Sequence, residues 1–123
     1  MERPTFKELN NKIVHAKEIA DLGLVNLLNP KSIASDANEL GYRIGDDFID
    51  SLTSVLRETT PKNYAGRRPP EQSYENTIMK NALYAFRTKS TSFKCLVYLK
   101  FTLFDDQLWV VSFHKNRNLR GAK

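Results

Sequence analysis

Between Lys94 and Lys115 apolar and polar positions alternate with a period of two. Cys95, Val97, Leu99, Phe101 and Leu103 fall on one side of the pattern, and Tyr98, Lys100 and Thr102 fall on the other, which predicts a half-buried strand. Asp105, Asp106 and Gln107 interrupt the run with turn-forming residues. Trp109, Val111 and Phe113 then alternate with Val110, Ser112 and His114 in a second β-rich segment, so the two read as a hairpin. With Asp105 to Gln107 as a three-residue loop, Phe104 faces Leu108, and Leu103, Phe101 and Leu99 face Trp109, Val111 and Phe113 on one apolar side. Tyr98 then lies opposite His114, with Lys100 and Ser112 on the same face. A two-residue loop is expected to split this cluster, because one step of register carries every side chain of a strand to the other face.

The first half of the chain has a different period. Phe6, Leu9, Ile13, Ala16 and Ala20 recur at three- and four-residue spacing, with Thr5 and Glu8 placed for a reciprocal capping box and Gly23 for a stop. His15 falls off that stripe and reads as a solvated residue. Leu24 to Leu28 reads as a short apolar connection. Asn29 and Pro30 stand in the order of an N-cap and first helical position, predicting a helix to Leu40 closed by Gly41. A third helix, capped by Asp46, carries the stripe Phe48, Ile49, Leu52, Val55 and Leu56.

From Arg57 the pattern breaks into a long basic loop, 57–77, with turn residues, positive charge and room for a short edge strand. Lys62, Arg67 and Arg68 in it can lie along a phosphate backbone or do nothing. Tyr74 to Arg87 suits both a helix (Ile78, Met79, Ala82, Leu83, Phe86) and a strand (Ala82, Tyr84, Phe86); the reading adopted is a helical start that gives way to a strand near Leu83. The basic tail 116–123 has no apolar anchor and is expected to fray. The fold class is therefore α+β: helices first, packed on a C-terminal antiparallel sheet.

Length and composition narrow the function. The 123 residues fit one domain, 1–123, with 41% hydrophobic and 27% charged residues. With no long apolar run and no signal-peptide core after the charged start, the expectation is a cytoplasmic protein without membrane contact. One cysteine, Cys95, on the apolar face reads as a small core residue, and one Cys with two His argues against a zinc cluster. The net charge of +5 hides an asymmetry: 6 Lys/Arg against 9 Asp/Glu up to Leu56, then 13 against 5 from Arg57 onward. A positive field beside a polar sheet face suits a polyanion such as RNA or DNA.

No Gly-rich phosphate loop, carboxylate pair, Ser-His-Asp order or metal-ligand spacing is present, so neither a cofactor nor a metal is expected. What remains is the face with Tyr98, Lys100 and His114, which Lys115, Lys80, Asn81, Lys62 and Arg87 are candidates to join. Such a set suits metal-independent RNA cleavage, in which a base takes the 2′-hydroxyl proton, cations stabilise the phosphorane and an acid protonates the leaving 5′-oxygen. Tyr98 and Lys100 as plain surface residues of a strand, with a structural His114, is the bland alternative.

Two blocks tip the balance. Val97-Tyr98-Leu99-Lys100-Phe101-Thr102-Leu103, an aspartate, then Leu108-Trp109-Val110-Val111-Ser112-Phe113 resembles the terminal VYLK, turn and VSF hairpin of toxins of the MqsR group, within the RelE-like family of bacterial toxin ribonucleases. Ser35 to Gly41 and the following helix to Leu52 are similar in order and spacing to the helical half of those toxins, with 57–77 as an insertion. The resemblance implies a RelE-like α+β fold and an endoribonuclease toxin (mRNA interferase) that hydrolyses messenger RNA, often at ribosomes. It also implies a cognate antitoxin as partner. Tyr98 matches the family's site tyrosine, His114 followed by Lys115 stands where the family has lysine, and Asn81 and Lys62 fall near a family glutamine and lysine. The resulting assignment gives Tyr98, His114 and Lys100 the catalytic roles, and gives Lys115, Arg87, Lys62, Arg67, Arg68, Lys80 and Asn81 the RNA contacts. The alternative from a different class is a non-catalytic module that binds nucleic acid or protein with the same basic face. An accessory protein that keeps the fold for another partner is a third.

Overall fold

The computed structural model describes residues 5–66, 70–73, 78 and 80–116. It has an α+β architecture with elements in the order α1 (Phe6–Asp21), β1 (Val25–Leu27), α2 (Pro30–Leu40), α3 (Ile44–Glu58), a 3₁₀ turn (Pro61–Asn63), β2 (Glu71–Gln72), β3 (Ala82–Ser90), β4 (Cys95–Phe104) and β5 (Gln107–Lys115). No helix among the described residues is long and apolar enough to cross a membrane.

The helices follow their local signals. The capping box of α1 closes in both directions, Thr5 N–H to Glu8 Oε1 at 2.7 Å and Glu8 N–H to Thr5 Oγ1 at 3.0 Å. Asn29 caps α2, Pro30 opens it and Gly41 ends it in the left-handed conformation, which glycine adopts without a Cβ clash. Two expectations are corrected. α3 begins at Ile44, so Asp46 lies inside its first turn, and it is the Asp47 carboxylate that accepts the N–H of Arg43, at 3.3 Å. Phe6 is 62% exposed and does not belong to the buried stripe of α1, which is Leu9, Ile13, Ala16, Ile19 and Ala20.

The sheet runs in the order β1-β5-β4-β3-β2 and is mixed rather than purely antiparallel. The stretch read as an apolar connection is β1, which pairs in parallel with β5 through Val25–Leu108, Asn26–Trp109 and Leu27–Val110. On the other side the chain after α3 follows the edge of β3: Tyr64 bridges Phe86, and Glu71–Gln72 pairs with Leu83–Ala82. Of the uncertain stretch before β3, Lys80 has φ +66° and Ala82 onward is strand, so any helical start ends before Lys80; residues 74–77 and 79 lie outside the described residues.

The three helices pack on one side of the sheet, α1 against α3 and β5, α2 against β5, and α3 against β3. Between the layers lie Leu52, Val55, Leu56, Phe86, Val97, Leu99, Phe101, Leu108, Val110 and Phe113, all fully buried. Thr59 and Thr88 hydrogen-bond each other inside this layer at 2.7 Å, which satisfies two hydroxyls that burial would otherwise leave unpaired.

Glu58, the last residue of α3, ties the helix to the β3–β4 turn by accepting the hydroxyl and the N–H of Thr91. These bonds, the hydroxyl first, hold its carboxyl below the usual glutamate range. A lowered folded-state value means that the stabilisation is present at neutral pH and is lost as pH falls through that value. In Glu58→Gln this part of the acid-side slope disappears, an effect read from urea denaturation midpoints between pH 3 and 6; an unchanged slope assigns it to other groups.

Candidate active site on the outer sheet face

The hairpin reaches the expected juxtaposition by an unexpected route. Its loop has two residues, Asp105 and Asp106, at φ +55° and +59°, with Phe104 paired to Gln107. Positive φ at both positions is the signature of a type I′ turn, whose twist matches the strands and which aspartate tolerates better than most residues. With this turn alone, Tyr98 and His114 would miss each other. A bulge corrects the register: Lys100 pairs with Ser112 but Phe101 pairs with Val110, leaving Val111 as an extra residue on β5. Beyond the bulge the pairs are Leu99–Phe113 and Tyr98–His114. On the turn side the buried partners are Leu108 and Val110, correcting the expectation for Trp109 and Val111; Trp109 shares the outer face with Thr102.

That outer face has two unlike ends. Near the turn it is filled: Leu83, Ala85 and Thr102 are buried there, and Ile78, in the loop closed by the Ser73 and Asn81 backbone bonds, is fully buried outside the main core. At the other end Arg87, Tyr98 and His114 form one row across β3, β4 and β5, with Ala85, Lys100 and Ser112 in the row beside it. Strand separation near 4.8 Å accounts for the ring contacts in the first row. The Tyr98 and His114 rings stack with centroids 5.2 Å apart and planes at 24°, and the Arg87 guanidinium lies over the Tyr98 ring at 5.6 Å. The outer positions of segments 85–89, 96–100 and 112–116 carry Arg87, Lys89 and Lys100 and no acidic residue, so the field over this end of the face is positive.

Two hydrogen bonds define the chemistry of the row. His114 Nδ1 lies 2.8 Å from the carbonyl oxygen of Lys115. A carbonyl only accepts, so Nδ1 carries the hydrogen and, in the neutral ring, Nε2 carries the lone pair available to a proton. Arg87 Nε donates to Asn116 Oδ1 at 2.8 Å, reaching from β3 across β4 to the end of β5. The tyrosine ring is thus engaged by its own neighbours, and a side chain standing off a sheet carries its hydroxyl at the outer end.

The other sequence-named residues divide. Lys100 joins the site. Lys115 pairs with Val97 and belongs by register to the opposite, helix-side face, which corrects its place beside His114; it contributes its backbone carbonyl instead. Lys62 is exposed in the 3₁₀ turn, which the Tyr64–Phe86 bridge brings alongside β3 one position from Arg87. Lys80 and Asn81 lie at the filled end, and the six steps along the chain from Asn81 to Arg87 span about 20 Å, so they do not join the row. Arg67 and Arg68 lie outside the described residues, as does the tail from residue 117.

Asn116 was missed because it stands at the start of a stretch read as fraying, although it continues the even-numbered series Ser112, His114. Its N–H donates to Leu96 O at 2.7 Å and so extends the ladder by one residue. Among the described residues no three His, Cys, Asp or Glu side chains come together where they could hold a metal ion. Compared with protein-family models and with curated proteins, the chain matches none.

Proposed function

We propose that this protein is an endoribonuclease of the RelE-like toxin kind that cleaves RNA without a metal ion. The observation that carries the reading is the Arg87–Tyr98–His114 row, at the end of the outer face where the described positions of β3, β4 and β5 bear cations and no carboxylate, with the His114 tautomer that leaves Nε2 as the proton acceptor. In this reading His114 Nε2 and the Tyr98 hydroxyl carry out the two proton transfers or orient the phosphate. Arg87 and Lys100 hold the charge of the scissile phosphate. Removal of the 2′-hydroxyl proton lets that oxygen attack phosphorus, and protonation of the departing oxygen leaves a 2′,3′-cyclic phosphate and a 5′-hydroxyl. The substrate is messenger RNA, free or on the ribosome, in the cytoplasm, and a cognate antitoxin protein silences the enzyme.

Incubation of the purified protein with mixed-sequence RNA in EDTA, with and without ribosomes, tests this. Discrete cuts ending in 2′,3′-cyclic phosphate are expected. RNA retained at low salt without cuts in either setting overturns the nuclease and leaves a phosphate-binding face, with the steep salt dependence of counterion release.

A further inference from the structure

The reach of Arg87 to Asn116 is longer than charge placement alone requires. An arginine on an open sheet face has many rotamers, and a guanidinium that samples them all is a poor phosphate clamp, because ordering it on binding costs affinity. Here two contacts restrict it. Asn116 Oδ1 accepts the Nε hydrogen at 2.8 Å, and the Tyr98 ring lies beneath the guanidinium at 5.6 Å. Asn116 is a firm anchor because its own N–H is bonded to Leu96 O in the β4–β5 ladder. With Nε occupied, the two Nη groups form the remaining donor edge, the geometry suited to two oxygens of one phosphodiester.

We propose that Asn116 is a positioning residue that aims the Nη edge of Arg87 at the phosphate of a bound single RNA strand beside Tyr98 and His114. This rests on the reading of the face as an RNA site, and its test separates the two. The probe is a mixed-sequence oligonucleotide with 2′-O-methyl riboses, which lacks the attacking hydroxyl and reports binding alone. Its affinity is measured for the unaltered protein, Arg87→Ala, Asn116→Ala and the double variant, while the exchange of the Arg87 Nε hydrogen is followed by ¹H–¹⁵N NMR.

Asn116→Ala is expected to weaken binding roughly fivefold, the scale of one charge-assisted hydrogen bond partly offset by solvent. It also speeds Nε exchange, and Asn116→Asp, which keeps an acceptor, restores slow exchange. In the double variant Asn116→Ala adds nothing to Arg87→Ala, because the group it positions is gone. An equal further loss in the Arg87→Ala background makes Asn116 a merely structural strand end and overturns the proposal. So does unchanged binding in Asn116→Ala when Arg87→Ala binds weakly. Unchanged binding in Arg87→Ala itself overturns the RNA site on this face together with the role of Asn116.

Discussion

His114→Ala is expected to lower RNA cleavage about 10²- to 10⁴-fold, the usual contribution of one general acid or base, with little change in RNA affinity. The substitution removes Nε2 and the ring that stacks on Tyr98, but it leaves the Leu99–Phe113 pairing and the buried core in place. Tyr98→Phe is the sharper companion. It keeps the ring between its neighbours and deletes only the hydroxyl, so a loss of similar size assigns the hydroxyl to proton transfer or phosphate orientation. When both are removed the combined loss stays well short of the product of the two, because groups that act in one step are not additive. Single-turnover cleavage of a defined RNA measures each. Normal cleavage by a folded His114→Ala protein removes His114 from the chemistry.

The second large effect is on stability. Phe113→Ala is expected to cost about 3–5 kcal/mol, as for other fully buried phenylalanines, against a total of about 5–15 kcal/mol for a domain of this size. The Phe113 ring is fully buried and meets Phe48 edge-on at 5.7 Å and Tyr42 at 6.0 Å, so few of its neighbours can collapse into the space it leaves. The residue also bears on the site. Beyond the Val111 bulge it is Phe113 that commits one face of β5 to the core, and His114 points outward because Phe113 points inward. Urea denaturation measures the loss; a change below about 1 kcal/mol shows that this ring is not central to the packing.

Much of this protein is legible along the chain because the signals are local. The capping box of Thr5 and Glu8, the Asn29–Pro30 opening of α2 and the apolar stripes of the helices each depend on residues within a turn of one another. Period-two alternation likewise announced β4 and β5. What the chain did not announce depends on pairing between distant segments. Three apolar residues at Val25–Leu27 become a strand only because the edge of β5 lies beside them, some 80 residues later in the chain. The same edge takes Leu108 and Val110 to the core and Trp109 to the outer face.

The site shows the same division at finer scale. Tyr98 faces His114 through two departures from the expected hairpin that cancel, a turn one residue shorter and a bulge one residue longer. Neither is a property of any single residue; both follow from which set of side chains the helices bury, since only the bulge lets Val110 and Phe113 point the same way. Asn116 enters by the same non-local logic, as a residue past the apparent end of the pattern that the ladder with Leu96 brings within reach of Arg87. Sequence by itself determined the helices and the longer strands, because helix caps and alternation act over a few residues. Tertiary structure decided the register, and register decides which charged and aromatic groups share a face.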